Sequence, residues 1–174
     1  MRRILVILVC SLAAVPAALA GPTAAGDGIL ELKAVYGTVA IGKQVQPARG
    51  LLWGQMDKGK LIVEDPIIGD GRIFVTGWET KVFTPATDDG SPAVTTYTGA
   101  NIHFRVTGGK YRLVFRGSGI DLTAIGAGVA YINASETALD AGYYAVDAGD
   151  WTAAPLFAVK AVPFGIQPTP VPSP

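Results

Sequence analysis

Short runs of alternating apolar and polar residues recur from residue 29 to residue 162, and they predict a chain of β-strands. Glycine, aspartate and proline separate the runs at roughly 8–12-residue intervals, which is typical of sandwiches and barrels. No long stretch after residue 20 has helical periodicity, and 134–141 is the best helix candidate. The expected fold is an all-β, antiparallel two-sheet β-sandwich, with an open β-barrel as the alternative.

The clearest pair of runs flanks Gly108 and Gly109. Two glycines between alternating runs favour a tight hairpin, because glycine accepts the positive φ of primed turns. This hairpin would join 101–107 to 110–116 and place Arg105 opposite Arg112. The side expected to face the core consists of Ile102, Phe104, Val106, Tyr111, Leu113 and Phe115. The polar side consists of Asn101, His103, Arg105, Lys110, Arg112 and Arg116.

Residues 1–20 have the three parts of a secretory signal peptide. A positive start at Arg2 and Arg3 precedes an apolar run, and small residues at the end predict cleavage between Ala20 and Gly21. An uncleaved anchor is the alternative, but the run is shorter than the about 20 residues of a comfortable span. We therefore expect an exported protein, secreted or associated with the cell envelope.

The rest of the chain divides by composition into three parts. Residues 21–28 are small and polar and predict a flexible lead-in, and 29–163 form the β-domain. Residues 164–174 are rich in proline and predict a disordered tail of extended, polyproline II character.

Cleavage changes the charge and the redox chemistry of the chain. Loss of Arg2 and Arg3 lowers the 14 basic residues to 12, against 14 acidic residues. A slightly acidic domain argues against nucleic-acid binding. Cleavage also removes Cys10, the single cysteine, so the mature domain has neither disulfides nor a thiol nucleophile. At about 150 residues, packing alone can stabilise such a domain.

Catalytic and metal-binding chemistry has little support in the sequence. His103 is the single histidine, and no G-x-S-x-G motif accompanies it, so no catalytic residue and no cofactor are assigned. Acids cluster in turns such as Asp88-Asp89 and 147–150. They could contribute to a calcium site or cleave glycosidic bonds as a pair. Aspartate also favours turns for its own hydrogen bonds, which is the better explanation here.

The polar side of the expected hairpin suggests binding. Arginines directly opposite one another repel, so nearby acids should neutralise them. Glu64, Asp121 and Glu79 are the candidate acids. Without such acids, the basic side would bind an acidic glycan, a phosphate-bearing polymer or the acidic patch of a partner. The candidate ligand-binding residues are His103, Arg105, Lys110, Arg112, Arg116 and Trp151.

The three tryptophans are expected to differ in exposure. Trp53 and Trp78 lie within apolar runs and are expected in the core. Trp151 follows a turn and is the best candidate for an exposed ring that stacks on a sugar.

The stretch 104–126, FRVTGGKYRLVFRGSGIDLTAIG, resembles a group of small exported bacterial β-domain proteins with a G-x-G-I-D-L-x-A-x-G stretch. The segments 63–66 and 75–79 also resemble that group. The similarity covers about residues 30–165 and implies a secreted β-domain. It carries over no activity and no site residue.

Three classes of function remain open at this stage. The favoured one is a non-enzymatic binding domain of the cell envelope or extracellular space that contacts anionic polymers. A secreted glycan hydrolase would instead need a cleft with two turn carboxylates of raised pKa. A structural coat protein would show neither feature but a long exposed sheet edge. The oligomeric state is left undetermined.

Overall fold

The computed structural model describes residues 26–67, 69–134, 142–155 and 158–166. The strands are β1 (Gly28–Ile41), β2 (Ala48–Asp65), β3 (Ile73–Thr84), β4 (Ala93–Ala134), β5 (Tyr143–Val146), β6 (Thr152–Ala153) and β7 (Val159–Phe164). The described residues contain no helix, and so none that could cross a membrane.

Several sequence predictions fall wholly or partly outside the described residues. The signal peptide and its cleavage site lie outside them, as do residues 135–141 of the helix candidate. The ends of the expected domain shift slightly, because β1 already begins at Gly28 and β7 ends at Phe164. Phe164, the first residue of the expected tail, is the last residue of β7 and is buried in the core.

The seven strands form one hydrogen-bonded sheet that is not closed into a barrel. Its order is β2-β4-β1-β5-β6, and β3 and β7 also pair with β4. Neighbours run in opposite directions: along β1, Gly28 lies opposite Gly126 and Ile41 lies opposite Leu113. The all-β, antiparallel prediction is confirmed.

This single sheet folds over itself. Strand β4 is 42 residues long and would extend for about 140 Å if it were straight. Ala48 and Glu64 lie near opposite ends of β2, yet their partners are the adjacent residues Tyr111 and Arg112 of β4. The two ends of β2 therefore lie close together, and the paired strands wrap into two layers around a core.

Two rows of glycines mark the bends. The first row, across four neighbouring strand segments, is Gly37, Gly117, Gly59 and Gly99. The second row is Gly28, Gly126 and Gly50. Along β1, β2 and β4, the two rows are nine residues apart. Each strand thus crosses one layer in about nine residues and then turns the corner.

The two glycine rows divide the sheet into two layers. Layer one consists of 29–36, 51–58, 73–76, 100–107 and 118–125, together with β5. Layer two consists of 38–41, 48–49, 60–65, 80–84, 93–98, 109–116 and 127–134, together with β7.

The alternation of buried residues changes phase at the first row. In β2, Leu52 and Met56 are buried before Gly59, and Leu61 and Val63 are buried after it. Pairing between β2 and β4 stays one-to-one through this row, from Lys58 with Ser118 to Lys60 with Arg116. No residue is inserted on one strand alone, so the change of phase comes from the bend at the glycines. The same change occurs in β1 and β4, so both layers present apolar side chains to a common core.

The expected hairpin at Gly108 and Gly109 is wrong, although its core side is confirmed. All six residues expected to face the core are buried. The two runs do not pair with each other, because 102–107 pairs with 51–56 of β2 whereas 112–116 pairs with 60–64, beyond the bend. Phe104 in layer one instead packs across the core on Phe115 in layer two, with ring centroids 4.7 Å apart. The glycine pair bends one continuous strand and does not reverse it.

Gly59 and Gly117 face each other at the centre of the first row. Their φ angles are 148° and 155°, values that L-residues rarely adopt. A Cβ on Gly117 would lie 2.1 Å from the carbonyl oxygen of Lys58, and one on Gly59 would lie 2.2 Å from that of Arg116. The strands can approach this closely because both side chains are absent.

Gly117→Ala should lower the free energy of unfolding by about 3 kcal/mol or more, because steric overlap adds to backbone strain. Gly108→Ala is the matched control, since Gly108 has a φ of 127° but open space around its Cβ position. It should cost only about 1–2 kcal/mol. Urea unfolding of both variants checks this, and equal losses would contradict the steric explanation.

Tyr111 is fully buried, and its hydroxyl has no hydrogen-bond partner among the described residues. Burial raises the pKa of this hydroxyl. Tyr111→Phe should increase the free energy of unfolding by about 1 kcal/mol, because it removes an unpaired buried polar group. Tyr143→Phe, at an exposed tyrosine, should change nothing. Thermal and urea unfolding measure both variants, and a destabilised Tyr111→Phe would show that the hydroxyl is satisfied.

Candidate functional site

The residues expected on one basic side are divided between the two layers. His103 and Arg105 are exposed on the outer side of layer one, and Arg105 lies between Trp53 and Phe74. Arg112 and Arg116 lie on the outer side of layer two. The expected pairing of Arg105 with Arg112 does not occur, because the hairpin that would create it is absent.

Carboxylates contact two of the candidate residues, Arg112 through its side chain and Lys110 through its backbone. The Arg112 guanidinium forms an ion pair with Glu64, with side chains 30% and 14% exposed. The backbone N–H of Lys110 donates to the Asp70 carboxylate at 2.9 Å. The expectation that an acid such as Glu64 neutralises the arginines is thus confirmed at Arg112. This ion pair holds β2 and β4 together.

A group of cations surrounds an open depression of about 390 Å³ on the outer surface. We call it the basic depression, and it is lined by Lys58, Gly59, Lys60, Glu79, Thr98, Gly99 and Arg116. Three of these residues are cations and one is a carboxylate. The ion pairs among the described residues involve Lys33, Arg49 and Arg112, and none involves the cations of the depression.

The first glycine row explains both the shape and the charge of the basic depression. Gly59 and Gly99 line it without side chains, so the surface is concave there. Lys58 and Lys60 flank Gly59 in the sequence, and Arg116 precedes Gly117. Arg116 also lies opposite Lys60 across the two strands. Arg116 was among the residues predicted from the sequence, whereas Lys58 and Lys60 were not, although a lysine on each side of a glycine is a visible signal.

Like charges directly opposite one another are unfavourable in a sheet. Among the described residues, Arg116 and Lys60 have no carboxylate within ion-pair distance to offset this repulsion. A bound anion would relieve it, and the planar guanidinium of arginine can hold an oxyanion through two hydrogen bonds. The basic depression is therefore suited to acidic groups in solution.

The tryptophans differ from expectation at two of three positions. Trp53 and Trp78 are 41% and 43% exposed, so the prediction that they fill the core is wrong. In β2 the inward residue is Leu52, and alternation turns its neighbour Trp53 outward. Trp151 is 48% exposed, as expected, and the Lys33 ammonium lies 5.8 Å from its ring centroid.

The turn carboxylates Asp89 and Asp147 accept hydrogen bonds from protein groups. Asp89 accepts hydrogen bonds from the Thr87 hydroxyl and the Ser91 N–H, and these lower its pKa to about 2. Asp147 accepts from the Ile29 N–H at 2.9 Å. Local turn hydrogen bonds thus account for Asp89, and a contact with β1 accounts for Asp147. The described residues contain no group of three or more metal-binding side chains.

Strand β3 has one free edge among the described residues, since it pairs with β4 alone. A long exposed edge was the feature expected of a structural coat protein. This edge is interrupted by two irregularities around Trp78, and it carries Glu79 and Lys81. Bulges and charges of this kind hinder edge-to-edge association.

Asp65 supplies a pH-dependent test of the acidic turn that follows β2. Its pKa is raised by partial burial and further by the charge of Asp70, against a lowering hydrogen bond from the Ile67 N–H. A raised pKa in the folded state means that the ionised form destabilises the fold above that pKa. This cost is absent below the unfolded value of 3.8.

Asp65→Asn should therefore increase the free energy of unfolding at pH 7, while the amide oxygen retains the bond from Ile67. The gain should shrink as the pH falls through the pKa of Asp65. Urea unfolding at pH 7 and pH 3 measures both values, and a gain that grows at low pH would contradict the assignment.

Comparison with known proteins does not add a family to these observations. No protein-family model, no curated protein and no solved structure matches the chain. The basic depression and the exposed aromatic residues are therefore interpreted from their own geometry and charge.

Proposed function

We propose that this protein is an exported, non-enzymatic β-domain that binds anionic polymers through the basic depression. The observation that supports this most directly is the set of three cations, Lys58, Lys60 and Arg116, around one open concavity. None of them is within ion-pair distance of a carboxylate in the described chain. The polymer belongs to the cell envelope or the extracellular space in this proposal, because the sequence begins with a signal-peptide pattern.

The charge of the depression favours binding over glycan hydrolysis. A glycosidase positions two carboxyl groups on either side of the scissile bond. The basic depression offers only one carboxylate, Glu79, beside its three cations. An acidic polymer would be attracted to this site. The pair of carboxylates that a glycosidase needs would have to lie elsewhere in the protein.

Open, exposed cations bind weakly one at a time, so a polymer suits this site better than a small anion. Each exposed charge pair is worth about 0.2–1 kcal/mol and is weakened by salt. A polymer with regularly spaced acidic groups contacts several cations at once. Binding should therefore fall as the ionic strength rises.

The proposal is tested by titrating the protein with labelled polygalacturonate and labelled polyphosphate and measuring fluorescence anisotropy at low and high salt. Replacing two facing cations in the variant Lys60→Ser/Arg116→Ser should weaken binding about tenfold at low salt. The loss should be smaller at high salt, where the charges are screened.

The matched control is Lys43→Ser/Lys160→Ser, which removes the same charge at exposed positions outside the basic depression. It should bind nearly as well as the unmodified protein. Equal losses in the two double variants would attribute binding to overall charge and would contradict the proposed site. So would failure of the unmodified protein to bind either polymer.

A further inference from the structure

The outer side of layer one carries a second exposed feature that the basic depression does not include. Phe74, Arg105 and Trp53 lie directly opposite one another on three adjacent strand segments, and we call them the aromatic row. Phe74 is 52% exposed and Trp53 is 41% exposed. Neighbouring strands are about 4.8 Å apart, so the two rings lie on strands roughly 10 Å apart with the guanidinium between them.

Trp53 differs from the other two tryptophans in its contacts. Trp78 packs against Tyr97 with centroids 6.2 Å apart, and its indole N–H donates to the carbonyl of Val75. Trp151 lies beside the Lys33 ammonium. Among the described residues, no ring or cation contact engages Trp53, and no ion pair engages Arg105.

Polar side chains flank the aromatic row on the side nearest the first glycine row. Thr76, His103 and Gln55 lie opposite one another on the same three strand segments, two residues along from the aromatic row. They offer hydrogen-bond donors and acceptors beside the rings. Along β2, Lys60 lies seven positions after Trp53, a distance of about 23 Å in an extended strand before the bend is considered.

We infer that the anionic polymer is a polysaccharide whose sugar rings stack on Trp53 and Phe74 while Arg105 binds an acidic substituent between them. The C–H face of a pyranose ring is apolar and packs against the face of an aromatic ring, whereas its hydroxyls need polar partners. A row of ring, guanidinium and ring, bordered by polar groups, matches a chain of acidic sugars. This inference rests on the proposed function and extends its surface from the basic depression to layer one.

A non-sugar polyanion provides the contrast that tests the inference. Polyphosphate has the negative charge of polygalacturonate but no sugar rings. Trp53→Thr and Phe74→Thr should each weaken binding of polygalacturonate about fivefold and leave binding of polyphosphate unchanged. Both replacements keep a residue suited to an exposed strand position, and circular dichroism verifies the fold.

The control is Phe83→Thr, which removes an aromatic ring that is more exposed than either Phe74 or Trp53, from the layer-two half of β3. It should bind both polymers as the unmodified protein does. Lys60→Ser/Arg116→Ser should weaken the binding of both polymers, because that site recognises charge.

The outcomes separate the two proposals. If the aromatic variants bind polygalacturonate normally, or lose both polymers equally, the sugar-stacking inference is wrong while the proposed function stands. If the unmodified protein binds neither polymer, the proposed function fails. Sedimentation equilibrium tests whether a second copy of the chain occupies this surface instead. A dimer that Trp53→Thr abolishes would show that the aromatic row contacts that second copy.

Discussion

The fold depends on the close approach of backbone atoms at the glycine rows. Where Gly59 and Gly117 meet, each occupies space in which a side chain would touch the carbonyl oxygen of the neighbouring strand. A strand as long as β4 cannot fit a domain of this size unless it bends. The glycines supply the bends, and the change of phase at the bends lets both layers turn their apolar side chains toward one core.

The same constraint shapes the outer surface. A row without side chains leaves a concavity, and the residues next to the glycines surround it. In this chain those residues include Lys58, Lys60 and Arg116. The basic depression is thus a direct consequence of how the sheet turns. The aromatic row lies on the same three strands, within layer one. The bends that fold the sheet therefore also shape the proposed binding surface.

Ion pairs elsewhere stabilise the folded sheet. They distinguish cations that have a structural role from cations that are available to bind a ligand. Arg112 binds Glu64 across β4 and β2, and Arg49 binds Asp27 at 2.7 Å near the second glycine row. These arginines are partly buried beside their acids. The cations of the basic depression are open to solvent and have no such partner among the described residues, which makes them the ones free to meet a ligand.

The sequence by itself determined the all-β class, the alternation of buried and exposed residues and all six core residues of the expected hairpin, because side-chain alternation is local. It also contained the nine-residue spacing of glycines, at 99, 108, 117 and 126 in β4. Local pattern does not state whether a glycine reverses a strand or bends it. That choice depends on which strand lies alongside.

Only the tertiary structure decided that the two halves of the expected hairpin pair with different parts of β2 and lie in different layers. This arrangement separated Arg105 from Arg112, placed Trp53 opposite Arg105 and brought Lys60 opposite Arg116. Both of these pairings join residues far apart in the chain. Their proximity follows from the folding of the sheet over itself, which is a property of the whole core and not of any single segment.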